Sequence, residues 1–97
     1  METIPVKILG YKKSQRYPIW RTVYSAQKML EKEHPDLRLE IQEVSKVDEI
    51  LLYTPVIAFP SLMMNGKLVC VGRFPSRSEV LKWLTAAIDE IKIPQTE

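Results

Sequence analysis

Lys12, Lys13 and Arg16 stand between Tyr11 and Tyr17, just ahead of a stretch with helical periodicity. Free N–H groups at a helix start, together with such cations, could hold a phosphate, a carboxylate or an acidic protein surface. Cations at the positive end of a helix dipole otherwise cost roughly 0.3–1 kcal/mol each at low salt. A local rule broken in this way is a mark of functional sites. The plainer alternative is a solvated basic loop that turns away from the helix end. Tyr11, Tyr17 and Trp20 interleave with these cations, and Arg21 adjoins them. Stacking rings plus positive charge suit single-stranded nucleic acid. Trp20 belongs to the packed side of the helix, however, and a net charge of +2 adds little general attraction. Nucleic acid is therefore not the expected partner.

The one cysteine, Cys70, lies between Val69 and Val71 in an apolar run. A thiol so placed is expected to pack as a small core hydrophobe. A redox or glutathione-linked activity would have to run through this thiol alone. One cysteine makes no intrachain disulfide, and one cysteine with one histidine, His34, makes no zinc site. The sequence has neither a glycine-rich phosphate loop nor a nucleophile elbow. No metal and no cofactor is expected.

The elements that must position these residues follow from periodicity. Val6-Lys7-Ile8-Leu9-Gly10 reads as a central strand. Tyr11 to Tyr17 reads as a basic connection. A helix from about Pro18 to Glu33 places Ile19, Val23, Ala26 and Leu30 on one face. Proline fits only its first turn, and Pro35 ends it by His34. Leu37 to Gln42 alternates apolar and polar, the pattern of a strand at a sheet edge. Ser45 and Asp48 resemble a capping box for a short helix with Val47, Ile50 and Leu51 on its apolar face.

Val56-Ile57-Ala58-Phe59 leads to Pro60 and the strand Ser61-Leu62-Met63-Met64. Asn65-Gly66 then signals a tight hairpin into Lys67-Leu68-Val69-Cys70-Val71. Met63 and Met64 point to opposite faces, so at least one fills the core. Ser76 and Glu79 form a second capping box, and a last helix runs from about Arg77 to Ile91. Residues 91–97 read as a frayed tail. The chain of 97 residues is 45% hydrophobic and 27% charged, values of a globular domain, and reads as one domain over 1–97. With no signal-like or membrane-spanning run, a cytoplasmic protein is the expectation.

The order is β-α-β-α-β-β-α: an α/β domain with a four-stranded mixed sheet flanked by three helices. The order, the first strand, the Phe59-Pro60 step and Met64-Asn65-Gly66-Lys67 through Gly72-Arg73-Phe74-Pro75-Ser76 resemble small archaeal and bacterial thioredoxin-like proteins of glutaredoxin size. The resemblance implies a cis bond before Pro60, with Phe59 contacting the backbone of a bound segment. It also implies Cys-x-x-Cys at the start of the first helix. Counting from Gly10, those cysteines fall on Lys13 and Arg16, and neither is a thiol. The resemblance therefore implies a redox fold without its dithiol and no dithiol oxidoreductase activity. The expectation is a binding module that takes a protein segment or an anion on Tyr11, Lys12, Lys13, Arg16, Tyr17, Phe59, Pro60 and Arg73. The alternative is thiol chemistry at Cys70. The expected oligomeric state is a monomer or a weak homodimer.

Overall fold

Alternation in β1 (Thr3–Leu9) sends Ile4, Val6 and Ile8 to one face of the sheet, where all three are buried. In the computed structural model, which describes residues 3–54 and 58–92, that face is covered by α1 (Lys13–Leu30) and α3 (Arg77–Lys92). The remaining elements are β2 (Arg38–Val44), α2 (Val47–Ile50), β3 (Ser61–Met64) and β4 (Lys67–Val71). They form a four-stranded sheet in the order β2-β1-β3-β4. β1 pairs parallel with β2 and antiparallel with β3, and β3 pairs antiparallel with β4. The expected mixed sheet with three helices is the observed one.

The two faces are covered unequally. The α1–α3 face carries Ile19, Val23, Ala26, Val80, Leu84 and Ile88 against Leu62, Met64 and Cys70. Among the described residues, the other face has a smaller cluster at one end, Leu9, Val44 and Ile50 with Phe59, Met63 and Leu68 packed on them. Met64 and Met63 thus serve one face each. On the half of β2 away from that end, Arg38, Glu40 and Gln42 are exposed, as the alternation of an edge strand requires.

Asn65 and Gly66 adopt φ values of 54° and 81°, the positive pair a two-residue I′ hairpin turn needs. A register shift between Leu62 and Met63 leaves β4 with one extra residue, a β-bulge on the second edge strand. Lys67 and Asn65 both reach Glu90 of α3, which ties the hairpin to the last helix.

Several boundaries differ from expectation: β1 starts at Thr3 rather than Val6, and α1 ends at Leu30 rather than near Glu33. α1 starts at Lys13, not near Pro18. Gln15 Oε1 accepts from the Lys12 N–H at 2.9 Å, closing the helix start five residues early. Pro18 is then interior to the helix, on an exposed position, and the Ser14 carbonyl loses the N–H it would otherwise accept. α2 begins after Lys46 with no side-chain cap, so Ser45 does not cap it. Instead the Asp48 carboxylate accepts from the Glu49 N–H at 3.0 Å. β2 extends two residues past Gln42, to Val44, because Leu9 continues the parallel pairing to that point. The expected pair Val56-Ile57 and the tail from 93 to 97 lie outside the described residues.

A candidate binding surface at the sheet end

Strand register brings four backbone positions into one row. Leu9 pairs with Val44 on one side and Ser61 on the other, and Ser61 pairs with Val71. The next residues along, Gly10, Pro60 and Gly72, therefore stand side by side at the sheet end. Two bonds continue the ladder there: Gly10 N–H donates to Val44 O at 3.0 Å, and Gly72 N–H donates to Pro60 O at 2.9 Å. The Phe59–Pro60 peptide is cis. Ser61 Oγ donates to Ala58 O at 2.7 Å, fixing the approach to that step. The row lies at the carboxyl end of β1, where the chain switches from one side of the strand to the other. Ligands of open α/β sheets collect at such points.

The α1 start sits over this row. Lys13 takes the first helical position and Lys12 the N-cap. Tyr11 and Tyr17 are 58% and 51% exposed, and Phe74 on the neighbouring turn is 53% exposed. An open depression of about 550 Å³ lies over Lys13, Ser14 and Tyr17. Within the expected Tyr11–Tyr17 connection, only Tyr11 and Lys12 are outside the helix.

Arg16 and Arg73 differ from the two lysines. Arg16 Nε donates to Glu43 at 2.9 Å and Nη1 donates to the Gly10 carbonyl at 3.0 Å. This clip joins α1 to the ends of β1 and β2. It also explains Gly10: a Cβ there would lie 2.9 Å from Arg16 Cγ. Arg73 forks onto Glu79 through two bonds of 2.9 and 2.7 Å. Glu79 in turn accepts from the Ser76 N–H at 3.0 Å and donates its own N–H to Ser76 Oγ at 3.2 Å, the expected capping box. Among the described residues, Lys12 and Lys13 enter no ion pair.

The Arg73 fork and the Ser76 N–H together hold the Glu79 carboxyl down at about 2. A carboxylate pKa lowered by folding contributes stability above its ordinary value, and that contribution fades as pH falls through the folded value. The stability difference between the wild type and Glu79→Gln should therefore be constant above about pH 5 and shrink toward about pH 2. Urea midpoints of both proteins across that range check it, and an offset that does not change with pH would contradict the coupling.

Cys70 lies apart from this row, 3% exposed on β4. Burial pushes its thiol up from the ordinary value, outweighing the downward pull of Arg73. Its Sγ lies 3.4 Å from the Arg73 carbonyl. A buried thiol with a raised pKa holds little thiolate at neutral pH, and thiolate is the reactive species.

Tyr17, Trp20 and Tyr24 stack in a ladder along α1, with centroids 6.4 and 5.3 Å apart and planes within 7° and 4°. Trp20 is half-buried between the two tyrosines, so the ladder uses its ring faces internally. Among the described residues no three His, Cys, Asp or Glu side chains gather as a metal-holding group. No helix there is long and apolar enough to cross a membrane.

A family model for the thioredoxin domain matches residues 19–85. The chain belongs to the thioredoxin-domain family. The matched span takes in β2, the Phe59–Pro60 step, the hairpin and most of α3, and it begins after Lys13 and Arg16. No curated protein matches the chain. This thioredoxin-family domain has Lys13 and Arg16 in the first turn of α1. The link from Arg16 to Glu43 escaped sequence reasoning because 27 residues separate the two and neither carries a local motif.

Proposed function

We propose that this thioredoxin-family domain is a non-catalytic binding module. It takes an extended, acidic protein segment on the sheet-end surface beside Phe59-Pro60. The observation that carries this reading is the contrast among the cations around that surface. Arg16 and Arg73 are neutralised by Glu43 and Glu79, whereas Lys12 and Lys13 stand without a carboxylate among the described residues. They stand at a helix start, where positive charge is already in excess. An incoming carboxylate would relieve both. Exposed Tyr11, Tyr17 and Phe74 supply apolar contact area around the lysines.

Lys12→Glu, Lys13→Glu is the informative variant, because neither side chain holds the fold together. Affinity capture from a native extract, with wild type and variant compared by mass spectrometry, identifies candidate segments. Titration of a captured segment by calorimetry should then show at least about tenfold weaker binding to the variant, the scale of losing close charge pairs. Equal affinity for both proteins would remove the site from this surface.

A further inference from the structure

A second groove lies one helical turn along α1, away from the sheet end. It is open, about 470 Å³ in volume, and lined by Pro18, Arg21, Thr22, Ser25 and Arg77. Arg77, the first residue of α3, reaches across so that Nη1 lies 3.4 Å from Ser25 Oγ. Ser25 follows Arg21 by one turn of α1, so the two residues are neighbours on the helix surface. Two guanidinium groups therefore share one groove.

Neither has a carboxylate partner among the described residues. The nearest acidic residue along the chain from Arg77, Glu79, is held by the Arg73 fork. Like charges held together without a counter-ion are unfavourable. Arg21 is steadied from behind by the Tyr17 ring, whose centroid lies 5.9 Å from its Cζ. The Ser25 hydroxyl accepts from Arg77 and keeps its own proton to donate. Thr22 donates to the Pro18 carbonyl at 3.0 Å and so contributes no donor.

We propose that the Arg21–Arg77 groove binds a tetrahedral phosphate-type dianion. Both guanidiniums would present planar forks to its oxygens, with Ser25 as a neutral donor between them. Planar forks match phosphate oxygens two at a time, a geometry lysines cannot supply. The ligand is either free phosphate or a phosphorylated side chain of a partner. Tyr17 adjoins both this groove and the sheet-end surface, but the groove's test varies Arg21 and Arg77 whereas the sheet-end test varies Lys12 and Lys13.

The test is an amide-resolved NMR titration of the whole chain at low ionic strength. Its arms are inorganic phosphate, a phosphoserine peptide with neutral flanks, the same peptide unphosphorylated, and sodium chloride at matched ionic strength. Saturable shifts confined to Arg21–Ser25 and the start of α3 are expected with the phosphate-bearing probes alone. A peptide that binds tighter than inorganic phosphate makes a protein the source; equal or tighter inorganic phosphate makes it a free anion. The Arg21→Gln, Arg77→Gln double variant should weaken binding by at least about tenfold, and Arg21→Lys should fall between. Because both arginines are exposed, the variant spectra should remain those of the folded protein. No saturable shift at this groove, the same shifts with chloride, or unchanged affinity in the double variant would overturn the proposal.

Discussion

Replacing Ile8 with alanine is expected to destabilise the fold by about 3–4 kcal/mol. Ile8 is fully buried in the larger core cluster. Its strand is hydrogen-bonded on both sides, with Ile8 opposite Glu43 in β2 and Leu62 in β3. A cavity left there cannot close by moving the backbone, because both neighbouring ladders hold β1 in place. The cost is therefore the lost transfer energy plus an unrelaxed cavity, toward the upper part of the range for such deletions. Against a typical domain stability of about 5–15 kcal/mol this is a large fraction. Leu52→Ala is the control, since Leu52 is 77% exposed and its loss should move stability by less than about 0.5 kcal/mol. Urea midpoints, with the denaturant slope compared, measure both. An Ile8→Ala shift no larger than that of Leu52→Ala would mean that β1 does not organise the core.

Arg16→Glu should cost about 2 kcal/mol of stability, and Arg16→Met about 1 kcal/mol. The Arg16 side chain is 15% exposed, and its two bonds tie three elements together at the site. Glu43 is 45% exposed, so the ion pair itself contributes under about 1 kcal/mol after solvent screening. The rest of the methionine penalty comes from leaving the Gly10 carbonyl without its donor. Reversal adds a carboxylate placed against Glu43 and against that carbonyl. Denaturant curves of the two variants separate these contributions; a glutamate variant as stable as wild type would show that the clip contributes nothing. Arg16 is thus a poor place to test binding by charge reversal, because lost capture would be confounded with a loosened site. Lys12 and Lys13 carry no such burden.

The same contrast separates what the residue pattern determined from what folding decided. Strand alternation, the Asn65-Gly66 turn and the Ser76–Glu79 box were legible because each is a local rule, read within a few residues of chain. The order of those elements, with a helix between the first two strands, required parallel pairing and hence this sheet. The start of α1 was not legible. The Gln15 cap and the distant Arg16–Glu43 clip outweighed the preference of Pro18 for a first turn.

At the candidate site, the sequence determined which cations and rings would gather after the first strand. Tertiary structure decided which of those charges remain unpaired. Arg16 and Arg73 each find a carboxylate, at 27 and 6 residues' separation, while Lys12 and Lys13 find none among the described residues. Arg77 meets Ser25 only because α3 packs beside α1, 52 residues away in the chain. Local chemistry is written in neighbouring residues. The balance of charge across a surface is a sum over distant elements, and it exists only once packing has brought them together.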